Sequence, residues 1–83
     1  MKIYGYKNEG FNSGDIEPFE LAEITLVANA DELRKIANFI EAAAKGIEKR
    51  GRNWEHEHLS DKFREFQSSP HFVVFNAEIE NNL

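Results

Sequence analysis

The sequence predicts a small α+β fold in which one long amphipathic helix packs on one face of a mostly antiparallel sheet of three or four strands, in the order β-β-α-(β)-β. Residues 29–51 repeat apolar side chains at steps of three and four, the period of a helix with one buried side. Residues 1–6, 19–28 and 71–79 are rich in the aromatic and β-branched residues that favour strands. Because 83 residues can enclose only one core, we expect a single domain over residues 1–83.

The N-terminal third contains two predicted strands joined by a turn. Residues 1–6, MKIYGY, form the first strand, and residues 8–15, NEGFNSGD, are turn material because Gly, Asn and Ser accept turn conformations easily. In the second strand, residues 19–28, Ile24 and Leu26 fall on the same face. We expect that face to be buried and the other to be partly wet.

The predicted helix carries signals at both ends. Asn29 and Glu32 have the spacing of a capping box, in which each side chain bonds the backbone N–H of the other residue. Gly51 can adopt the positive φ that ends many helices. The apolar stripe comprises Leu33, Ile36, Ala37, Ile40, Ala43, Ala44 and Ile47, with Phe39 at its edge.

The segment after the helix is the least regular part of the chain. We expect a short strand over residues 54–59, with His56 and His58 on one face, and then a single helical turn capped by Ser60 or Asp61. Residues 71–79 form the last strand, and their apolar run predicts an interior position covered on both faces.

The histidines leave two interpretations open. His56, His58 and His71, with acidic neighbours, have the residue types of a zinc or other divalent-metal site, and a metal-binding or hydrolytic domain is therefore the alternative function. The spacing is generic, however, and no H-E-x-x-H pair accompanies it. We favour ordinary structural and surface histidines, and we predict no catalytic residue, no cofactor and no enzymatic activity.

Composition argues against several classes of partner. Ten basic against fifteen acidic side chains give a net charge of −5, which disfavours nucleic acid and favours a basic protein. The sequence has no cysteine and no run near the ~18 apolar residues of a membrane span, and its first residues do not resemble a signal peptide. We expect a cytoplasmic protein that does not bind membranes, and a homodimer that covers an exposed sheet edge stays open.

Three segments carry a family resemblance. They are EITLVANADELRKIANFIEAAA at 23–44, WEHEHLSD at 54–61 and SPHFVVFNAE at 69–78, and the most specific pieces are HEHL at 56–59 and SPHFVVFN at 69–76. Together they resemble a family of small bacterial immunity proteins from polymorphic toxin systems, immunity family thirty-two. The resemblance implies an α+β domain that binds and neutralises a cognate protein toxin by occlusion, without catalysis.

If the resemblance holds, we expect the toxin to bind the irregular segment, residues 52–66. A loop surface can vary without disturbing the core, and this one combines aromatic and Arg anchors with acidic side chains. The candidate partner-binding residues are Arg52, Trp54, Glu55, His56, Glu57, His58, Asp61 and Arg64.

Overall fold

The computed structural model describes residues 1–7 and 18–82, so the predicted turn at 8–15 lies outside the described residues. The helices and strands are β1 (Tyr4–Gly5), β2 (Phe19–Glu20), α1 (Ala30–Arg50), β3 (His56–His58), α2 (Leu59–Lys62) and β4 (Val73–Phe75). Within the described residues, 3-10 helices lie at Gly51–Asn53, Arg64–Phe66 and Ala77–Asn82. The order of helices and strands follows the predicted β-β-α-(β)-β pattern, and the α+β class is confirmed. No helix in this part of the chain is both long and apolar enough to cross a bilayer.

Helix α1 begins and ends where the local signals predict. The Glu32 N–H donates to Asn29 Oδ1, and the Asn29 N–H donates to Glu32 Oε1, both at 2.8 Å. Gly51 has a φ of 54° and donates its N–H to the Ile47 carbonyl. The capping box and the glycine C-cap are therefore confirmed, because both depend only on neighbouring residues.

The buried side of α1 differs from the predicted stripe. Ile36, Phe39 and Ala43 are buried, whereas Leu33 and Ile40 remain 45% and 47% exposed. The core forms between Ile36 and Phe39 of α1 and Leu59 and Phe66 of the following segment, and three further side chains pack against it: Phe63, Phe72 and Val74. Aromatic side chains thus approach the helix on its Phe39 side, and the packed face is displaced toward that residue.

The expected sheet of three or four strands is not confirmed. The described residues form two separate two-stranded antiparallel sheets, β1 with β2 and β3 with β4. The expected strand over 19–28 pairs only at Phe19–Glu20, and Ile24 and Leu26 are about half exposed. An extended segment needs a neighbour for its N–H and C=O groups. Residues 22–28 pair with no strand among the described residues and are irregular.

Strand β4 is also shorter and less enclosed than expected. It covers Val73–Phe75 instead of residues 71–79, and Val73 is 44% exposed. Since β4 pairs only with β3 in the described chain, it is not the interior strand that its apolar run predicts. One face of the hairpin β3–β4 packs at Val74 on the core cluster that includes Ile36 and Phe39 of α1, and Val73 on the other face is exposed.

Candidate functional site

The irregular segment is organised around the β3–β4 hairpin. Opposed residues in this hairpin are His56 and Phe75, Glu57 and Val74, and His58 and Val73. Two backbone bonds of 2.8 Å extend the pairing at its ends, from the Leu59 N–H to the Phe72 carbonyl and from the Asn76 N–H to the Glu55 carbonyl. The pairing holds four of the eight candidate residues, Glu55 to His58, on a fixed backbone.

Asn76 fixes the hairpin to the end of α1. Its side chain is 1% exposed, and its amide nitrogen donates to the Trp54 carbonyl at 2.8 Å and to the Gly51 carbonyl at 3.1 Å. Its amide oxygen accepts from the Glu78 N–H at 3.0 Å. One buried side chain therefore satisfies three backbone groups on both sides of the hairpin. Sequence reasoning missed this residue, although an Asn directly after a strand is a usual signal of side-chain bonding to the backbone.

The outward face of the hairpin carries a row of aromatic rings. The His56 ring stacks on Phe75 with centroids 6.0 Å apart and meets His58 edge-on at 5.4 Å. His58 in turn lies edge-on to His71 at 6.1 Å. The structure thus brings together the three histidines that the sequence singled out, as neighbouring rings on a surface, and not in an enclosed cleft.

The charged candidates other than Glu57 are exposed. Glu55 Oε1 is 2.9 Å from Nδ1 of His56, which is itself exposed. The Arg52 guanidinium donates to the Glu78 carbonyl at 2.8 Å, so part of its donor capacity is used within the chain. Asp61 and Arg64 are exposed on α2 and on the 3-10 helix that follows it. The segment therefore exposes two acids and two guanidinium groups.

Two candidates face inward. Trp54 is 4% exposed and packs against Gly46 of α1, where an added Cβ would lie 2.5 Å from the indole nitrogen. Glu57 lies 3.5 Å from the Lys62 ammonium. Both line a groove of about 370 Å³ between α1 and the hairpin, together with Asn38, Phe39, Ala42, Ala43, Arg50, Lys62 and Phe63. Trp54 therefore lies beneath the exposed residues of the segment and supports them by packing on α1.

A charged cluster joins the segment to α1. Lys35 contacts the carboxylates of Asp31, at 2.8 Å, and of Glu65. The hydrogen bonds to Asp31 and Glu65 raise the pKa of Lys35 above its ordinary value, and the bond from Lys35 lowers the pKa of Glu65. This link fixes the 3-10 helix Arg64–Phe66 to the first turns of α1. It escaped prediction because Lys35 and Glu65 are distant in sequence.

The three histidines were also candidates for a metal site. In the described part of the chain, no group of three His, Asp or Glu side chains could hold a metal ion. The rings of His56, His58 and His71 instead contact one another through their edges and faces. The geometry thus gives the metal-binding alternative no support.

A model of the family described as Immunity protein 32 matches residues 23–77. The matched region contains α1, the β3–β4 hairpin, the eight candidate residues and Asn76, and it leaves out β1 and β2. Searches of curated proteins and of solved structures give no match.

Proposed function

We propose, from the premise that the chain belongs to the Immunity protein 32 family, that it binds and neutralises a cognate bacterial toxin in the cytoplasm by occluding the toxin's active surface, with no catalysis of its own. The family match carries the proposal. It covers the whole packed unit of α1 and the hairpin, and immunity proteins generally act by binding. The toxin is therefore a protein partner, and no cofactor is required.

We place the toxin contact on the outward side of the segment 52–64. The exposed members of the candidate set are Arg52, Glu55, His56, Asp61 and Arg64. Histidine rings and guanidinium groups supply the flat, polar-edged contacts that are common in interfaces, and the acids supply charge. His58 contributes through the ring row, whereas Trp54 and Glu57 support the surface from the groove side.

The hairpin is suited to binding because its backbone is held before the partner arrives. The Asn76 side chain joins Gly51, Trp54 and Glu78 through bonds of 2.8–3.1 Å. A preorganised surface loses less conformational entropy on association than a mobile loop. The net charge of −5 further favours a toxin with a cationic cleft, as expected for an enzyme that acts on nucleic acid.

The decisive experiment is rescue of cells that express the toxin encoded beside this protein. We expect co-expression to restore growth and the two proteins to co-purify as a complex. Failure to rescue, or rescue without a complex, would contradict neutralisation by binding.

A charge-reversal pair tests the contact surface. Glu55→Lys with Asp61→Lys places two cations on the proposed contact, so we expect loss of the complex and of rescue. Glu20→Lys with Glu23→Lys makes the same change in net charge at two exposed positions outside segment 52–64. This control variant should keep the complex, and equal loss in both variants would place the contact elsewhere.

A further inference from the structure

A second apolar face of α1 is left uncovered by the hairpin. Leu33, Ala37, Ile40 and Ala44 follow one another at steps of four, three and four, so they form one stripe along the helix. All four are exposed, Leu33 at 45% and Ile40 at 47%. The stripe lies roughly 100° around the helix axis from the buried side at Ile36, Phe39 and Ala43. In the described part of the chain, α1 thus has two apolar faces, of which one is covered.

The segment that leads into α1 is exposed as well. Ile24, Leu26 and Val27 are 47%, 46% and 97% exposed. Exposed apolar surface of sufficient extent marks association sites. The uncovered stripe is therefore a candidate association surface.

The edge of the stripe has self-complementary charges. Arg34 and Glu41 lie seven residues apart on the same edge, beside Lys45 and Glu48. These four side chains sum to zero charge, although the whole chain carries −5. A strongly cationic toxin surface would gain little electrostatic attraction from this neutral edge. The same edge of a second copy, which is also neutral, would not be repelled.

Antiparallel pairing about a two-fold axis fits the same residues. With the axis between Ala37 and Ile40, the large Leu33 lies opposite the partner's small Ala44, and Ile40 lies opposite the partner's Ala37. The same symmetry brings Arg34 close to the partner's Glu41, and Glu41 close to the partner's Arg34. Large side chains thus meet small ones and opposite charges meet twice, as a two-fold contact requires.

We propose that two copies of this chain associate through the α1 stripe (Leu33, Ala37, Ile40 and Ala44) in an antiparallel homodimer. The pairing leaves the candidate toxin contact free, because the histidine row lies on the hairpin face opposite to Val74, which packs on the core. Dimerisation is independent of toxin binding and does not rest on the proposed function. It differs from the sheet-edge dimer expected from the sequence, because the shared surface is helical.

Sedimentation equilibrium of the full chain without toxin tests the proposal. We expect a dimer that dissociates on dilution, and Ala44→Glu should give a monomer because it places a carboxylate against the partner's Leu33. Ala42→Glu is the matched control, since it makes the same change at an exposed position on another side of α1. It should remain dimeric. A monomeric wild-type chain, or equal effects of the two variants, would overturn the proposal.

A charge-exchange experiment tests the register. Arg34→Glu alone and Glu41→Arg alone should each weaken the dimer on the order of tenfold, because like charges then meet at both symmetry-related contacts. Mixing the two variants one to one should restore a dimer of wild-type strength, and the double variant should do the same. Loss of fold cannot produce this recovery. Unchanged dimerisation in both single variants would exclude this pairing, and toxin capture that fails only in Ala44→Glu would assign the stripe to the toxin.

Discussion

Asn76 is the residue on which the hairpin depends most. Its buried side chain bonds the carbonyls of Gly51 and Trp54 and the N–H of Glu78. We predict that Asn76→Leu lowers the free energy of unfolding by about 3 kcal/mol, because three backbone groups lose their partner in a site closed to water. Chemical denaturation measures the change. Asn53→Leu, at an exposed position, is the control and should change stability little.

An isosteric change at the same position separates hydrogen bonding from packing. Asn76→Asp keeps the shape but sets a carboxylate against two carbonyl oxygens, so the folded-state pKa of the new group should be raised. The substitution should therefore destabilise the fold most near neutral pH. The loss of stability should shrink as pH falls toward about 4, because the carboxyl group is then protonated in the unfolded chain as well. A pH-independent loss would show that packing, and not charge, dominates at Asn76.

Gly46 lies at a helix position where Ala should be less stable than Gly, contrary to the usual preference. Gly→Ala in a helix interior normally stabilises by about 1 kcal/mol. Here an added Cβ would lie 2.5 Å and 2.6 Å from indole atoms of Trp54. We therefore predict that Gly46→Ala destabilises by roughly 1–2 kcal/mol, because the buried indole must move.

A double-mutant cycle checks this reason. Trp54→Ala removes the indole that the new methyl group would contact, so the double variant should be more stable than the sum of the two single changes predicts. Thermal and urea unfolding of the four proteins supply the cycle. A Gly46→Ala variant that is more stable than the wild type would contradict the close packing of α1 on Trp54.

At the scale of elements, α1 could be predicted almost completely from the sequence. Its period, its capping box at Asn29 and Glu32 and its Gly51 end all depend on residues within one or two turns of one another. Its packed face was only partly predicted. Periodicity marks every apolar side chain alike and does not distinguish Leu33, which stays exposed, from Phe39, which is buried.

Strands depended on information that the local sequence does not contain. Residues 23–28 alternate as a strand should, yet β2 ends at Glu20 because pairing requires a neighbour from elsewhere in the chain. The hairpin β3–β4 joins residues 56–58 to residues 73–75, and its register depends on contacts across that interval. The existence of strand-forming segments was therefore predictable, but their partners and lengths were not.

The Lys35–Glu65 contact links two elements and makes a pH prediction. The pKa of Glu65 is lowered and that of Lys35 is raised by their hydrogen bond. The stabilisation is therefore full between the ordinary values of 4.5 and 10.5, and it is lost as pH falls through the folded-state pKa of Glu65 or rises through that of Lys35. We predict that Glu65→Gln lowers the melting temperature within that window only.

Melting curves from pH 2 to 8 test this contact. The difference in melting temperature between wild type and Glu65→Gln should be small, because the groups are solvent-exposed. It should disappear at low pH and decrease with added salt. Glu23→Gln changes an exposed acid that precedes α1, and it should show no such window. A difference that persists in acid would mean that Glu65 acts through packing.

At the scale of the whole molecule, notable residue types could be identified from the sequence, but the positions of their side chains could not. His56, His58 and His71 were singled out by residue type, and the hairpin does bring them into one row. Trp54, one of the candidate contact residues, fills the space over Gly46. The placement of Trp54 depends on a glycine in another element, and only the three-dimensional structure relates the two.

The last prediction concerns how charges near the proposed contact affect the rate of toxin association. Glu55→Gln with Asp61→Asn should slow association with the cognate toxin on the order of three- to tenfold at low salt, because steering acts through charges near the contact. Glu20→Gln with Glu23→Gln removes as much charge outside segment 52–64 and should have little effect. At 0.15 M ionic strength the Debye length is about 8 Å, so the difference should shrink as salt is added. Stopped-flow mixing across a salt series measures both variants. Equal slowing by the two variants would mean that the total charge of the chain steers the encounter. That result would contradict the placement of the toxin contact on segment 52–64.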